Sequence, residues 1–137
     1  MKPEIKKLIL PAETEKLSEV LDFVNAVLEE NGCSMKAQMQ IEVALEELYV
    51  NIAHYAYPER KGEAEIDVSV VPGCIEITLI DSGIPYDPLA KPDPDITLSA
   101  KERAIGGLGI FMSKKLMDDI SYQYVDGKNH LTIKKKF

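Results

Sequence analysis

Two cysteines, two histidines and a shortage of positive charge set the first limits on this 137-residue chain. Cys33 and Cys74 are far apart, and His54 and His130 stand singly, so the inventory argues against a disulfide framework and against a Cys/His zinc site. Lys and Arg number 16 against 23 Asp and Glu, a net charge of −7. That deficit speaks against broad nucleic-acid binding, which needs a basic surface. A small anion held by a few placed donors remains open. No apolar run nears the ~18 residues of a membrane span, and Met1-Lys2-Pro3-Glu4 opens no signal-peptide pattern. The expectation is a soluble, cytoplasmic protein with no membrane or nucleic-acid partner.

What is present suffices for one domain covering 1–137. With 45% hydrophobic and 28% charged residues the chain can bury a core, and neither a linker nor an internal repeat divides it. Ile5–Leu10 alternates weakly and ends at Pro11, as an edge strand does. Leu17, Val20, Leu21, Val24, Val27 and Leu28 then recur at helical spacing, with Thr14 as the candidate cap and Asn31-Gly32 as the stop. A second helix is expected over about Met35 to Tyr55, with Ile41, Ala44, Leu45, Leu48 and Ile52 on one face, ended by Pro58. The period next becomes two: Ala64–Val70 and Cys74–Ile80 read as a hairpin around Pro72-Gly73. Residues 81–104 have no regular period. A helix opens at Gly106-Gly107-Leu108-Gly109 and ends near Asp118. Ile120–Val125 and His130–Phe137 read as strands joined by Asp126-Gly127-Lys128-Asn129. The Lys134-Lys135-Lys136 run suits a solvated strand end.

Three segments carry polar groups that a purely structural element does not need. Glu47 and Asn51 lie one turn apart on one helix face, a proton acceptor beside an oxygen ligand for a hard cation. The same spacing also suits an exposed face with no task, and Glu46 belongs to a neighbouring, solvent-facing stripe. Asp81-Ser82-Gly83-Ile84-Pro85 ends an apolar strand in a carboxylate, either an Asx-type turn or an acceptor for an exocyclic amine. Gly106-Gly107-Leu108-Gly109 precedes a helix, where free N–H groups and the helix dipole suit an anion, or where glycines simply permit a tight entry. No Gly-Lys-Ser/Thr follows, so this is no Walker loop. Met112 stands where the dinucleotide fingerprint needs its third glycine.

In order, Glu-x-x-x-Asn, Asp-x-Gly-x-Pro and a long loop into Gly-Gly-Leu-Gly resemble the N, G1 and G2 boxes of the GHKL (Bergerat-fold) ATPase superfamily. The short branch of anti-sigma-factor serine/threonine kinases is the nearest likeness, and it extends along essentially the whole chain to Gly127-Lys128-Asn129-His130-Leu131-Thr132. The resemblance implies an α/β two-layer sandwich, with helices on one face of a mixed, mainly antiparallel sheet. It implies ATP and Mg²⁺, with Glu47 as general base and Asn51 as the Mg²⁺ ligand against the ATP phosphates. Asp81 would take the adenine amine, Gly83 would give the base room, and Thr132 would help through a water. Gly106, Gly107, Leu108 and Gly109 would cradle phosphate behind an ATP lid at about 89–105. Relatives often place a basic residue just before the final glycines; Ala104 and Ile105 stand there, which leaves Arg103 as the candidate for the γ-phosphate. His54 sits one place early for the histidine many relatives carry and is expected as a partly buried helix residue. The implied partners are a sigma factor and a STAS-domain antagonist, with a homodimer as a further expectation. A nucleotide-gated switch without kinase activity and an interaction module with a vestigial pocket are the competing readings.

Overall fold

Period-two alternation and helical stripes become five strands and three helices in the computed structural model, which describes residues 5–58, 60–90 and 107–137. Strand β1 spans Ile5–Pro11, helix α1 Leu17–Glu30 and helix α2 Met35–Tyr55. Strands β2 (Glu63–Val71) and β3 (Cys74–Asp81) follow, then helix α3 (Gly107–Leu116) and strands β4 (Asp119–Val125) and β5 (Lys128–Lys136). The sheet order is β1-β2-β3-β5-β4. Every described pairing is antiparallel, which simplifies the expected mixed sheet.

The three helices share one face of that sheet. Val24, Leu28, Ile41, Leu45, Leu48 and Ile110 meet the inward strand residues Ile66, Val68, Ile77, Leu79, Leu131 and Ile133 in a single buried core. Tyr49 is wholly buried within it, and its hydroxyl donates to the Glu13 carbonyl at 2.7 Å. That bond pins the middle of α2 to the chain leaving β1, which fixes the helix over the sheet. Among the described residues, no helix is long and apolar enough to cross a membrane.

Local chemistry sets the element ends. A 3₁₀ turn, Thr14–Lys16, precedes α1, and Thr14 caps nothing; the first α-helical turn has no side-chain cap. At the far end Gly32 takes φ 69°, while the Cys33 and Gly32 amides return to Leu28 and Glu29 carbonyls, a Schellman closure. Ser34 caps α2, its Oγ accepting from Ala37 N–H at 3.2 Å. The β2–β3 turn has Pro72 then Gly73 at φ 79°, the type II pattern. Between β4 and β5 only Asp126 (φ 53°) and Gly127 (φ 76°) intervene, a two-residue type I′ turn. Strand β5 therefore begins at Lys128, two residues earlier than the sequence pattern suggests. Lys135, expected as solvated, bends back to donate to the Leu116 carbonyl at the end of α3 at 2.8 Å.

The face without helices carries a cluster that makes stability depend on pH. Asp67 Oδ1 is buried with no hydrogen-bond partner among the described residues, and Lys7 Nζ stands 3.6 Å from both Glu65 and Asp67. Burial, then the hydrogen bond and charge of Glu65, push the Asp67 carboxyl from 3.8 up to about 6, against the pull of Lys7. The Glu65 carboxyl becomes a hydrogen-bond partner only when a proton is held between the two. With the folded value above the unfolded one, the folded protein binds more protons through that window, so this contribution to stability falls as pH rises from about 4 to 6. Asp67→Asn should stabilise the fold by on the order of 1–2 kcal/mol at pH 8 and much less at pH 4. Urea unfolding at the two pH values measures this, and an equal effect at both would remove the assignment.

Candidate functional site

A cleft opens where the C-terminal half of α2 passes over the ends of β3 and β5. Leu48, Ile52, Leu79, Ile84, Tyr122 and Leu131 give it apolar walls, and Asn51, Asp81 and Asn129 bring the polar groups. Its enclosed part is narrow, about 80 Å³, and it opens to solvent at the mouth. Ile52, at the end of the core stripe, is half-buried, packs against the core and also lines this cleft.

Asp81 is the last residue of β3 and only 6% exposed. Its Oδ1 accepts from Gly83 N–H and from Asn129 Nδ2, each at 2.9 Å. Oδ2 has no donor among the described residues, so the carboxylate keeps one oxygen for a ligand in an otherwise apolar cleft. Asn129 itself is 6% exposed and directly opposite Asp81 in the β3–β5 register. It also donates to Ile84 O at 2.9 Å and accepts from Tyr86 N–H at 3.1 Å and from the Tyr122 hydroxyl. Burial raises the Tyr122 phenol above its ordinary value, opposed by the Tyr86 backbone and assisted by Asp87 and Asp81, which keeps it a donor.

Gly83 has a packing task of its own. A Cβ built there would stand 2.3 Å from the Ala56 carbonyl oxygen and 2.6 Å from the Ala56 Cβ. The missing side chain lets the segment after β3 touch the end of α2, and Ile84 N–H donates to that Ala56 carbonyl at 3.0 Å. It makes room for α2, which in turn holds Asn51 at the cleft.

Glu47 lies one turn before Asn51, half-buried, and does not line the cleft. It has no hydrogen-bond or ion-pair partner among the described residues. Burial first, and the neighbouring Glu46 second, raise its carboxyl above the ordinary 4.5. A partly desolvated carboxylate with free lone pairs beside a ligand cleft has the properties of a general base. Glu46 is exposed, as its stripe implied.

The remaining expectations divide. Thr132 is not brought to the cleft: it points to the sheet face opposite the helices, where its hydroxyl meets that of Thr78 at 3.0 Å. Strand alternation is the reason, since Asn129 and Leu131 occupy the inward positions. Asn129 is the polar β5 residue the cleft receives; treating Asp126-Gly127 as a two-residue turn would have placed it in the strand. Gly107 and Gly109 lie in the first turn of α3, whereas Arg103, Gly106 and most of the expected lid fall outside the described residues. His54 is exposed, not partly buried, and packs edge-on against Tyr55 with ring centroids 5.9 Å apart.

These groups fit a purine nucleotide with Mg²⁺. The apolar walls suit a planar base, and the free Asp81 oxygen suits an exocyclic amine. Among the described residues, no three His, Cys, Asp or Glu side chains converge as a metal cage. Asn51 in the lining offers a carboxamide oxygen, a ligand type that a hard cation accepts.

A family model described as "Histidine kinase-like ATPase domain" matches residues 10–135. Among curated relatives, the serine-protein kinase RsbW of Listeria monocytogenes is 27% identical over 125 residues, covering 88% of this chain and 80% of that protein. The serine-protein kinase RsbW of Bacillus cereus is 27% identical over 129 residues, covering 91% and 81%. The solved RsbU and RsbW domains of Rv1364c from Mycobacterium tuberculosis superpose with a TM-score of 0.69 at 16% identity. That match covers 97% of this chain and 32% of the solved chain. The histidine kinase domain of the Erythrobacter litoralis EL346 blue-light activated kinase gives 0.54 at 13% identity, covering 93% and 61%. At these identities the structural likenesses concern the fold alone.

Proposed function

The chain belongs to the histidine kinase-like ATPase domain family, and on that premise we propose that it is a Mg-ATP-dependent serine/threonine protein kinase acting as an anti-sigma factor. It binds a sigma factor and phosphorylates a STAS-domain antagonist that competes for it. The relatives named serine-protein kinase RsbW support that reading. The observation that carries it is the half-buried Glu47 one turn from Asn51, without a partner among the described residues. A switch that only senses nucleotide has no use for a base at that position.

Adenine enters between the apolar walls, and its 6-amino group donates to Asp81 Oδ2. The N–H groups opening α3 face the phosphates, with Arg103 assigned to the γ-phosphate. Asn51 would hold Mg²⁺ through its carboxamide oxygen, and the ion would offset phosphate charge. Glu47 takes the proton from a serine or threonine hydroxyl as that oxygen bonds to phosphorus and the bond to the ADP oxygen breaks. The transfer requires positioning and charge neutralisation more than covalent chemistry by the protein. A homodimer is part of the proposal, as it is for the resembling kinase branch.

Asp81→Asn tests the nucleotide pose. It replaces the free acceptor with an amide that can present N–H to an amine, so Mg-ATP affinity should fall by about 10- to 100-fold. Calorimetric titration reads this directly, and unchanged affinity would move the base elsewhere. Transfer of labelled phosphate from ATP to a STAS antagonist encoded beside this protein tests the reaction itself. Binding without transfer to any such protein would favour the nucleotide-gated switch.

A further inference from the structure

Asn129 makes four hydrogen bonds, and their chemistry leaves its orientation no freedom. Tyr86 N–H can only donate, so the oxygen end must face it; Ile84 O can only accept, so the nitrogen end must face that. The second amide hydrogen goes to Asp81 Oδ1, and the Tyr122 hydroxyl supplies a second donor to the Asn129 oxygen. The side chain has two donors and two acceptor sites, and all are used within the protein. Asn129 therefore has nothing left to offer a ligand, although it lines the cleft.

Asp81 is committed on one side by the same arrangement. Oδ1 accepts from Asn129 on β5 and from Gly83 in its own chain segment, so the carboxylate plane is held from two directions. The oxygen left over is Oδ2.

We propose that Asn129 is a positioning residue that holds the Asp81 carboxylate with a single acceptor oxygen toward the cleft, and so sets preference for a 6-amino over a 6-oxo purine. This rests on the adenine pose proposed above. A fixed acceptor accepts from an amine and repels a carbonyl oxygen, whereas a carboxylate free to rotate loses part of that contrast. The amide's other bonds serve the same end. Tyr122 reaches it from β4, and Ile84 and Tyr86 reach it from the segment after β3, so with Asp81 on β3 three parts of the fold register on one side chain. Aspartate at 129 would retain the acceptors for Tyr86 and Tyr122 but set an oxygen against Asp81 Oδ1. Alanine would remove all four bonds.

The test compares ATP with inosine triphosphate, which carries a 6-oxo group, by calorimetric titration in the presence of Mg²⁺. The native protein should prefer ATP. Asn129→Asp should lower that preference by about tenfold or more, chiefly through weaker ATP binding. Asn129→Ala should lower it too, and serves alone if the aspartate variant does not fold. A general loss of structure would weaken both nucleotides alike, so the ratio separates positioning from folding. A native preference retained in the folded variants, or an equal loss for both nucleotides, overturns the role of Asn129 while leaving the adenine pose intact. Equal affinity of the native protein for both nucleotides removes the adenine pose and, with it, this inference.

Discussion

Glu47→Gln is expected to lower phosphoryl transfer by about 10²- to 10⁴-fold while leaving Mg-ATP affinity within about twofold. The substitution keeps the size and the helix position of the side chain and removes only its ability to take a proton. Glu47 does not line the cleft, and Asn51, Asp81 and the opening of α3 are untouched, so binding should survive. Burial and Glu46 raise the Glu47 carboxyl, and this has a kinetic consequence. A base acts when deprotonated, so transfer should fall as pH drops through its raised value, and the acid limb should lie above that of an ordinary glutamate. Single-turnover transfer with labelled ATP, measured against pH, checks both points. A Gln variant that transfers at the native rate would show that another group accepts the proton.

Gly83→Ala should destabilise the protein by about 1–3 kcal/mol, and Gly83→Val by more. The added carbon would meet the Ala56 carbonyl at 2.3 Å, so the backbone of α2 must move away from the end of β3. That movement strains the Ile84–Ala56 hydrogen bond and carries Asn51 away from Asp81. Loss of stability should therefore come with loss of nucleotide affinity. Gly127 gives a control, because its φ of 76° disfavours a side chain while nothing lies within 4 Å of one. Gly127→Ala should cost about 1 kcal/mol from backbone conformation and leave nucleotide binding alone. Urea midpoints paired with titration calorimetry measure both effects. A Gly83→Ala protein as stable as the native one would mean that α2 yields at Ala56 without cost.

Helices α1 and α2 were legible because apolar residues recur with helical period over more than three turns each. The β2–β3 hairpin was equally plain, since Pro72-Gly73 separates two runs of strict alternation. Asp81 stands out in the sequence because it ends an apolar strand in a carboxylate, whereas Glu47 and Asn51, on a face that could equally be solvated, gain meaning only from the order of the three motifs. Cap and turn chemistry was less legible. Thr14 and Ser34 are both suitable caps, and only Ser34 has the first turn of an α-helix within reach. At Asp126-Gly127-Lys128-Asn129, four turn-forming or polar residues conceal a turn that uses just two of them. Starting β5 two residues late puts Asn129 in a loop, where its inward position cannot be read, whereas Thr132 is expected at the site only because the family resemblance implies it.

By itself the sequence determined what local forces decide: the order and kind of its main elements, the stripes that face the core, and each of the short boxes that mark the family. These depend on neighbours within about one helical turn or one strand pair, and a linear pattern records them. The tertiary structure alone decided which polar groups meet. Asn129 is 48 residues from Asp81, and the two touch because antiparallel register sets β5 directly against β3. Gly83 needs its lack of a side chain because of Ala56, a contact created by helix packing that no spacing encodes. Thr132 faces away because a strand alternates its side chains, and a shift of one position exchanges the two faces of the sheet.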